Sequence, residues 1–178
     1  MQKIELTLMF TTPTRRLFLS RMMRKPLQHM RSKVNQALGK EQAGPENNLK
    51  YMVYSAHDDQ VDNMMVWLNP TNYEMDYVLF ASQVFFELSY SKTCLANEPS
   101  ENCFHVEVLY NGNKLTLPGC TLYAKEATGC SFPDFMTYMK SIWYTGPFEN
   151  NLDEACSQTY TVDDNSNPDS LFDKFLFV

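Results

Sequence analysis

The chain has 178 residues, of which 44% are hydrophobic and 13% aromatic, and its formal net charge is -6. This length suits one domain of ordinary size, and the hydrophobic content is enough to bury a core, so the composition excludes a globally disordered protein. The charge is uneven, with net +7 over residues 1–50 and -13 over residues 51–178.

The basic part of the chain falls in a predicted helix over residues 15–38, interrupted or kinked near Pro26. Clustered cations can bind nucleic acid or a membrane surface, but here they alternate with apolar residues, as on the polar face of an amphipathic helix. Phe18 is the only aromatic residue among them that could stack on a base. We therefore expect no nucleic-acid partner. The cations are Arg15, Arg16, Arg21, Arg24, Lys25, Arg31 and Lys33.

The amino-terminal segment, residues 1–14, is set apart from the predicted domain over residues 15–160. Its first ten residues, MQKIELTLMF, carry charges at Lys3 and Glu5, which interrupt the apolar core that a secretory signal needs. No stretch of the sequence is long and apolar enough to span a membrane. We expect that the original amino terminus is missing.

A strand, a turn and a helix are predicted in succession after a loop over residues 39–48. Residues 50–56, KYMVYSA, favour a strand buried within a sheet, and His57 and Asp58 follow it directly. A short helix is predicted over residues 59–68 from apolar residues at three- and four-residue spacing. These apolar residues are Val61, Met64, Met65 and Leu68.

The second half of the predicted domain reads as an antiparallel hairpin followed by a helix. Residues 80–89 and 104–110 favour strands, and Asn111-Gly112 predicts a turn before a further strand at residues 114–117. A final helix is predicted over residues 132–144, with Ser131 as its N-cap. Residues 161–178 form a polar tail with an apolar ending, so the elements together predict an α/β fold.

Four of the five cysteines form two close pairs, Cys94 with Cys103 and Cys120 with Cys130. Each pair brackets a loop-like stretch, so we expect disulfide bonds rather than a zinc site, for which the sequence offers no C-x-x-C motif. Cys156 remains unpaired. In an oxidising compartment an odd cysteine implies a free thiol, an intermolecular bond or a partner on sequence outside this chain.

Four blocks of sequence resemble the carboxy-terminal half of histidine acid phosphatases, in the order and with the spacing of that family. The blocks are YMVYSAHD, FASQVFFELSY, FHVEVLYNGNKLTLPGC and CSFPDFMTYM, in which YSAHD and LTLPGC are the most distinctive motifs. The resemblance runs from Phe18 to Cys156 and corresponds to about half of a complete family member. It implies a partial histidine-phosphatase-like sheet with flanking helices that lacks the amino-terminal strands.

The resemblance also implies a chemistry, the hydrolysis of phosphomonoesters through a covalent phosphohistidine without a metal or cofactor. Carried over by residue, His57 contacts the phosphate and Asp58 is the proton donor to the leaving group. The next residues, Asp59 and Gln60, differ from the family's common Thr-Thr, and the nucleophile's Arg-His-Gly-x-Arg-x-Pro segment does not occur in this sequence. The other two histidines, His29 and His105, lack that context.

The cysteines agree with the resemblance, because the family pairs a late cysteine, here Cys156, with one in its amino-terminal half. The first hypothesis is therefore a phosphatase half that is inactive alone, with a phosphomonoester as substrate when completed by an amino-terminal half. A homodimer is the other expected partner, because missing strands would leave apolar edges exposed. The resemblance and the cysteine pattern imply a lysosomal or extracellular location.

Two alternatives remain open. One is a non-catalytic secreted or lysosomal binding protein that keeps the scaffold of a degenerate phosphatase. The other is a metal-dependent phosphohydrolase of the His-Asp type, which would be all-helical and would need further His and Asp ligands.

Overall fold

A computed structural model of the chain describes residues 12–44, 48–74, 76–120, 129–145 and 151–157. In this part of the chain the helices are α1 (Thr12–Ala37), α2 (Asp58–Leu68), α3 (Lys92–Asn97), α4 (Phe132–Ile142) and α5 (Leu152–Ser157), with a 3-10 turn at Glu101–Cys103. The strands are β1 (Val84–Tyr90), β2 (Phe104–Tyr110), β3 (Asn113–Lys114) and β4 (Cys130–Ser131). The fold is mixed α/β, as the sequence predicts. The predicted tail and the first 11 residues lie outside the described residues.

The sheet is small and antiparallel, and β2 is its central strand. The predicted hairpin is present, with β1 and β2 in register from Val84 opposite Tyr110 to Tyr90 opposite Phe104. Strands β3 and β4 pair with opposite ends of β2. The Asn111-Gly112 turn has φ angles of 48° and 81°, left-handed values that asparagine and glycine tolerate best.

The main core lies between one face of the sheet and the helices α1, α2 and α4. Side chains alternate along β2, so that Val106, Val108 and Tyr110 are buried on the face that the helices cover. Phe132 and Phe135 of α4 are fully buried in the same cluster. A second, smaller cluster holds Leu17, Tyr144, Leu152 and Ala155, and it joins α5 to the start of α1.

Helices α1, α2 and α4 follow the sequence prediction closely. Helix α1 continues through Pro26 for 26 residues and buries a stripe that includes Leu19, Met23 and Leu27. Helix α4 begins as predicted, since the Ser131 hydroxyl accepts a hydrogen bond from the Asp134 backbone N–H at 3.2 Å. None of the helices in the described part of the chain combines the length and hydrophobicity needed to cross a bilayer.

The predicted strand over residues 50–56 is wrong. These residues adopt no regular secondary structure and pair with no described strand, and Tyr51 and Val53 are 68% and 69% exposed. The β-favouring side chains set a local preference, but a strand forms only where a neighbouring strand supplies hydrogen bonds. The described sheet offers none to this segment.

Two strand boundaries differ from the prediction because backbone groups form hydrogen bonds outside the sheet, and one further helix is present. Phe80 lies on a turn closed by the Ser82 N–H and the Leu79 carbonyl at 3.2 Å, so β1 begins later, at Val84. The strand predicted over residues 114–117 reaches only Lys114, because Thr116 hydrogen-bonds with the segment after α2. The short helix α3, which the sequence does not predict, begins before Cys94 and includes the first part of the loop between Cys94 and Cys103.

Candidate functional site

His57 and Asp58 lie at the amino-terminal end of α2, where the segment over residues 50–56 meets the helix. His57 is the N-cap residue and Asp58 the first residue of the helix, and both are exposed to solvent. The Gln60 side-chain oxygen accepts a hydrogen bond from the His57 backbone N–H. This contact fixes the backbone at the start of the helix, as the second half of a capping box does.

Two carboxylates occupy the backbone donors of the first turn of α2. Asp58 Oδ1 accepts from the Asp59 N–H at 3.0 Å, and Asp59 Oδ1 accepts from the Gln60 N–H at 2.8 Å. A helix amino terminus attracts anions through such free N–H groups and through its dipole. In this arrangement the chain's own carboxylates fill that role, so the first turn presents acidic groups rather than open donors.

The start of α2 is anchored to α1 by a buried hydrogen-bond chain. Arg15 Nε donates to Asn63 Oδ1 at 2.8 Å, and Asn63 Nδ2 donates to the Asp59 carbonyl at 2.7 Å. Arg15 and Asn63 are 7% and 1% exposed. Burial lowers the pKa of the Arg15 guanidinium, and the Asp62 carboxylate opposes this shift. The chain of contacts holds the helix turn that carries Asp58 in one position.

The other end of α2 is held by α4. The Tyr138 hydroxyl donates to the Leu68 carbonyl, and the Trp67 indole N–H donates to the Ile142 carbonyl, both at 2.8 Å. Burial raises the pKa of Tyr138, which keeps the phenol protonated as a donor. Helix α2 is thus fixed at both ends by buried or partly buried contacts.

The sequence does not single out Arg15 or Asn63 as partners. It assigns Arg15 to the polar face of an amphipathic helix, whereas the structure buries this side chain against α2. The available signal is the dipeptide Asp62-Asn63, two polar residues inside the apolar pattern of a helix, which is typical of a paired buried polar group.

The two remaining histidines lie on other elements of the fold. His29 is on α1, and His105 is on β2, where its register neighbours are Ser89 and Ser131. His105 Nδ1 is buried and has no hydrogen-bond partner. The start of α2 contributes groups that can donate a proton and hydrogen-bond a phosphoryl oxygen. His57 is the only histidine in that turn and in residues 50–56.

Both predicted cysteine pairs are joined as disulfides, Cys94 to Cys103 and Cys120 to Cys130, with Cα–Cα distances of 5.4 and 5.0 Å. Cys156 is the free cysteine and is exposed on α5. Partial burial raises the pKa of its thiol, and the nearby Arg21 opposes that shift. Across the described ranges no group of three His, Cys, Asp or Glu side chains is arranged to hold a metal ion.

A family model described as the histidine phosphatase superfamily (branch 2) matches residues 6–111 of the chain. This range is more than half of the chain and includes His57, Asp58 and the hairpin, and it begins before Phe18, where the sequence resemblance starts. It ends before the LTLPGC motif at residues 115–120. No curated protein and no solved structure matches the chain.

Proposed function

Because this chain belongs to branch 2 of the histidine phosphatase superfamily, we propose that it supplies the proton-donor half of a site that hydrolyses phosphomonoesters. In this proposal Asp58 protonates the leaving oxygen and His57 contacts the phosphate. Membership of the superfamily supports a phosphatase-like function in general. On this basis we propose the acid phosphatase reaction, with these two residue roles and an acidic working range.

The observation that carries the proposal is the exposed carboxyl of Asp58 on a helix start that buried groups hold in place. A proton donor must meet the leaving oxygen in a fixed geometry and must also be open to a substrate. Asp58 satisfies both conditions, because its side chain faces solvent while the Arg15–Asn63 contact fixes the turn beneath it. His57, exposed beside it, can offer a ring N–H to a phosphoryl oxygen.

The proposed reaction needs a nucleophile that this half does not supply. In the family's reaction a histidine nitrogen attacks phosphorus and forms a P–N bond, the P–O bond to the leaving group breaks, and the leaving oxygen takes the proton of Asp58. A water oxygen then attacks phosphorus, the P–N bond breaks, and the Asp58 carboxylate takes the proton of that water. No Arg-His-Gly-x-Arg-x-Pro segment occurs among the 178 residues. We therefore expect hydrolysis only when that segment is present as well, whether on the same polypeptide or on another.

The proposed partner is an amino-terminal half of the phosphatase domain, and the exposed segment over residues 49–56 is where it would join. The segment over residues 50–56 favours a strand but has no described strand beside it, which supports pairing with a strand from another polypeptide. A second copy of the chain is the competing partner. A lysosomal or extracellular location is proposed as well, supported by the two disulfides, since such bonds persist in oxidising compartments.

The alternative function is a non-catalytic binding protein on the same scaffold. One observation favours it, namely that Asp58 and Asp59 hold the first backbone donors of α2 through their own carboxylates. In that state the helix start repels a phosphate dianion instead of binding it. The two functions differ in whether a phosphomonoester is hydrolysed at all once the nucleophile is supplied.

The test is hydrolysis of an aryl phosphate at acidic pH by the full chain, with and without an amino-terminal half of a branch 2 phosphatase. We expect no turnover by the chain alone and turnover by the mixture. Asp58→Asn should reduce the turnover of the mixture by at least about a hundredfold, as expected for loss of a general acid. Asp59→Asn is the matched control and should change it little.

Two results would contradict the proposal. Turnover by the chain alone that disappears in Asp58→Asn would mean that the nucleophile lies within these residues, with His29 and His105 the histidines to replace next. If the two halves bind each other tightly but the mixture stays inactive, the result would instead favour the non-catalytic binding protein.

A further inference from the structure

A fully exposed aromatic side chain, Phe80, lies on the turn that precedes β1. Its exposure is 105%, and Tyr77 and Leu79 beside it are each more than half exposed. Val78, between them, packs against the main core and anchors the segment. We call residues 77–80 the Phe80 knob. Large apolar side chains that are exposed together in this way are typical of a surface that contacts another molecule.

Hydrogen bonds fix the backbone of the Phe80 knob. The Ser82 N–H donates to the Leu79 carbonyl at 3.2 Å, and Ala81 has a φ of 59°, a left-handed value that few residues other than glycine adopt. Asn111 Oδ1 accepts from the Gln83 N–H at 2.9 Å, and Asn111 Nδ2 donates to the Ser82 hydroxyl at 3.1 Å. A fixed aromatic side chain loses less conformational entropy on binding than one on a flexible loop. The knob is therefore preorganised for a contact.

A groove of about 960 Å³ lies between α1 and α4. Its floor is apolar, formed by the buried side chains of Leu27 and Met139. Met136 and Trp143, which are partly exposed, line its walls. We call it the α1–α4 groove. Its size and its apolar lining suit aromatic side chains such as those of the Phe80 knob.

The α1–α4 groove has one cation that is open to a partner. Among the described residues three cationic side chains line it, and two of these are paired. Arg31 pairs with Glu101 at 2.7 Å. Arg24 pairs with Asp153 at 3.1 Å. The third, Lys140, is exposed and makes no ion pair within the described ranges.

The Phe80 knob carries the opposite charge. Asp76 directly precedes the knob, is exposed, and pairs with no cation in the part of the chain that the structure describes. Opposite charges beside an apolar contact set its orientation and favour the correct partner. Because Phe80 is fully exposed on a fixed turn, it does not occupy the groove of its own molecule. The groove of a second copy offers it both an apolar surface and a complementary charge.

We propose that the chain associates with copies of itself by placing the Phe80 knob of one molecule in the α1–α4 groove of the next. Phe80 packs against Met136 and Trp143, and Asp76 faces Lys140. The contact uses a different surface on each molecule, so each pair still has one free knob and one free groove. Such a contact continues past the dimer, into a ring or a filament. It does not depend on the proposed phosphatase function.

The test is sedimentation velocity of the full chain with both disulfides intact, over a range of concentrations. Cys156 is replaced by serine throughout, because this exposed thiol could form a disulfide between molecules. We expect a mass that rises with concentration beyond that of a dimer. Phe80→Ser should weaken the association by about tenfold or more, as expected when one aromatic side chain is no longer buried. Thr137→Arg should also weaken it, because Thr137 is exposed and lines the groove.

A mixture of the two variants tests whether the knob and the groove bind each other. Phe80→Ser keeps an intact groove and Thr137→Arg keeps an intact knob, so the mixture can form one contact per pair. We expect a complex of one copy of each that grows no further. Asp76→Lys and Lys140→Glu should each weaken the association of the otherwise unchanged chain. Both changes in one chain should restore it, since the charges are then exchanged.

Three outcomes would overturn the proposal. The first is a chain that stays monomeric at every concentration. The second is a mixture of Phe80→Ser and Thr137→Arg that forms no complex, which would mean that the two surfaces do not bind each other. The third concerns Tyr51→Ser, the matched control, since Tyr51 is an exposed aromatic residue in the segment over residues 49–56. If this change weakens the association as much as Phe80→Ser does, the association does not belong specifically to the knob.

Discussion

Asn63→Ala should destabilise the domain by about 3 kcal/mol, because it removes the buried contact between α1 and α2. The change deletes two hydrogen bonds, one from Arg15 Nε at 2.8 Å and one to the Asp59 carbonyl at 2.7 Å. A hydrogen bond to a charged group contributes about 1.5–3 kcal/mol and a neutral one about 1 kcal/mol. Arg15 is only 7% exposed, so water cannot readily replace the lost partner.

The assay is equilibrium unfolding in urea with both disulfides intact, and Asn72→Ala is the matched control. Asn72 also makes two hydrogen bonds, to the Lys114 carbonyl at 2.9 Å and from the Thr116 N–H at 2.7 Å, but it is exposed. Its loss should cost about 1 kcal/mol or less, because water satisfies the freed groups. Equal effects at the two positions would refute the argument from burial.

A double-mutant cycle measures the interaction free energy between Arg15 and Asn63 separately from their contacts with other residues. Arg15→Met with Asn63→Leu replaces both polar partners by apolar side chains of similar volume. The double variant should be more stable than the sum of the two single changes predicts by about 1–3 kcal/mol, since neither buried group is then left unpaired. Additive changes would mean that Arg15 and Asn63 do not interact in solution.

Three further results are expected. The two guanidinium groups of α1 that hydrogen-bond Asp153 hold its pKa below the ordinary 3.8, so this contact stabilises α5 at higher pH and is lost as the pH falls through the lowered pKa. The protection of the α5 amides against hydrogen exchange, relative to the intrinsic rate at each pH, should fall there, and Asp153→Asn should remove this change in protection. Gly129→Ala should destabilise the domain more than Gly119→Ala in thermal unfolding. Both glycines have a positive φ, but a Cβ at residue 129 would lie 2.9 Å from a backbone carbonyl oxygen of β2, whereas a Cβ at residue 119 would meet open space. Similar losses of stability would contradict this reasoning. Replacing Cys94 and Cys103 together by alanine should cost about 2–3 kcal/mol in urea unfolding, from a ten-residue closed loop, and an unchanged midpoint would show that the bond is not formed.

The elements that the sequence predicts correctly are those whose signals are local. Helix α2 follows from its apolar spacing, and the β1–β2 hairpin from strand formers around the paired cysteines. The turn at Asn111-Gly112 follows from two residues that accept left-handed angles. In each case the residues that form the sequence pattern also make the contacts that stabilise the predicted element.

The failures concern partners that are distant along the chain. Residues 50–56 favour a strand, but pairing depends on a neighbouring strand, and local preference does not reveal whether one is present. The Arg15–Asn63 contact joins positions 48 residues apart, and a basic helix face gives no sign of which cation turns inward. For the candidate site, the sequence locates His57 and Asp58, whereas the buried anchor beneath them comes only from the structure.

The two hydrophobic clusters are of very unequal size, and this divides the domain into regions with different lifetimes. The small cluster contains Leu17, Tyr144, Leu152 and Ala155, while the large one includes the side chains of both β2 and α4 where these two elements pack together. Regions with few buried apolar contacts open at a lower free energy than the global transition. Helix α5 should therefore detach and rejoin many times during one lifetime of the folded sheet. A protease that cleaves within α5 would detect this brief open state long before the domain unfolds.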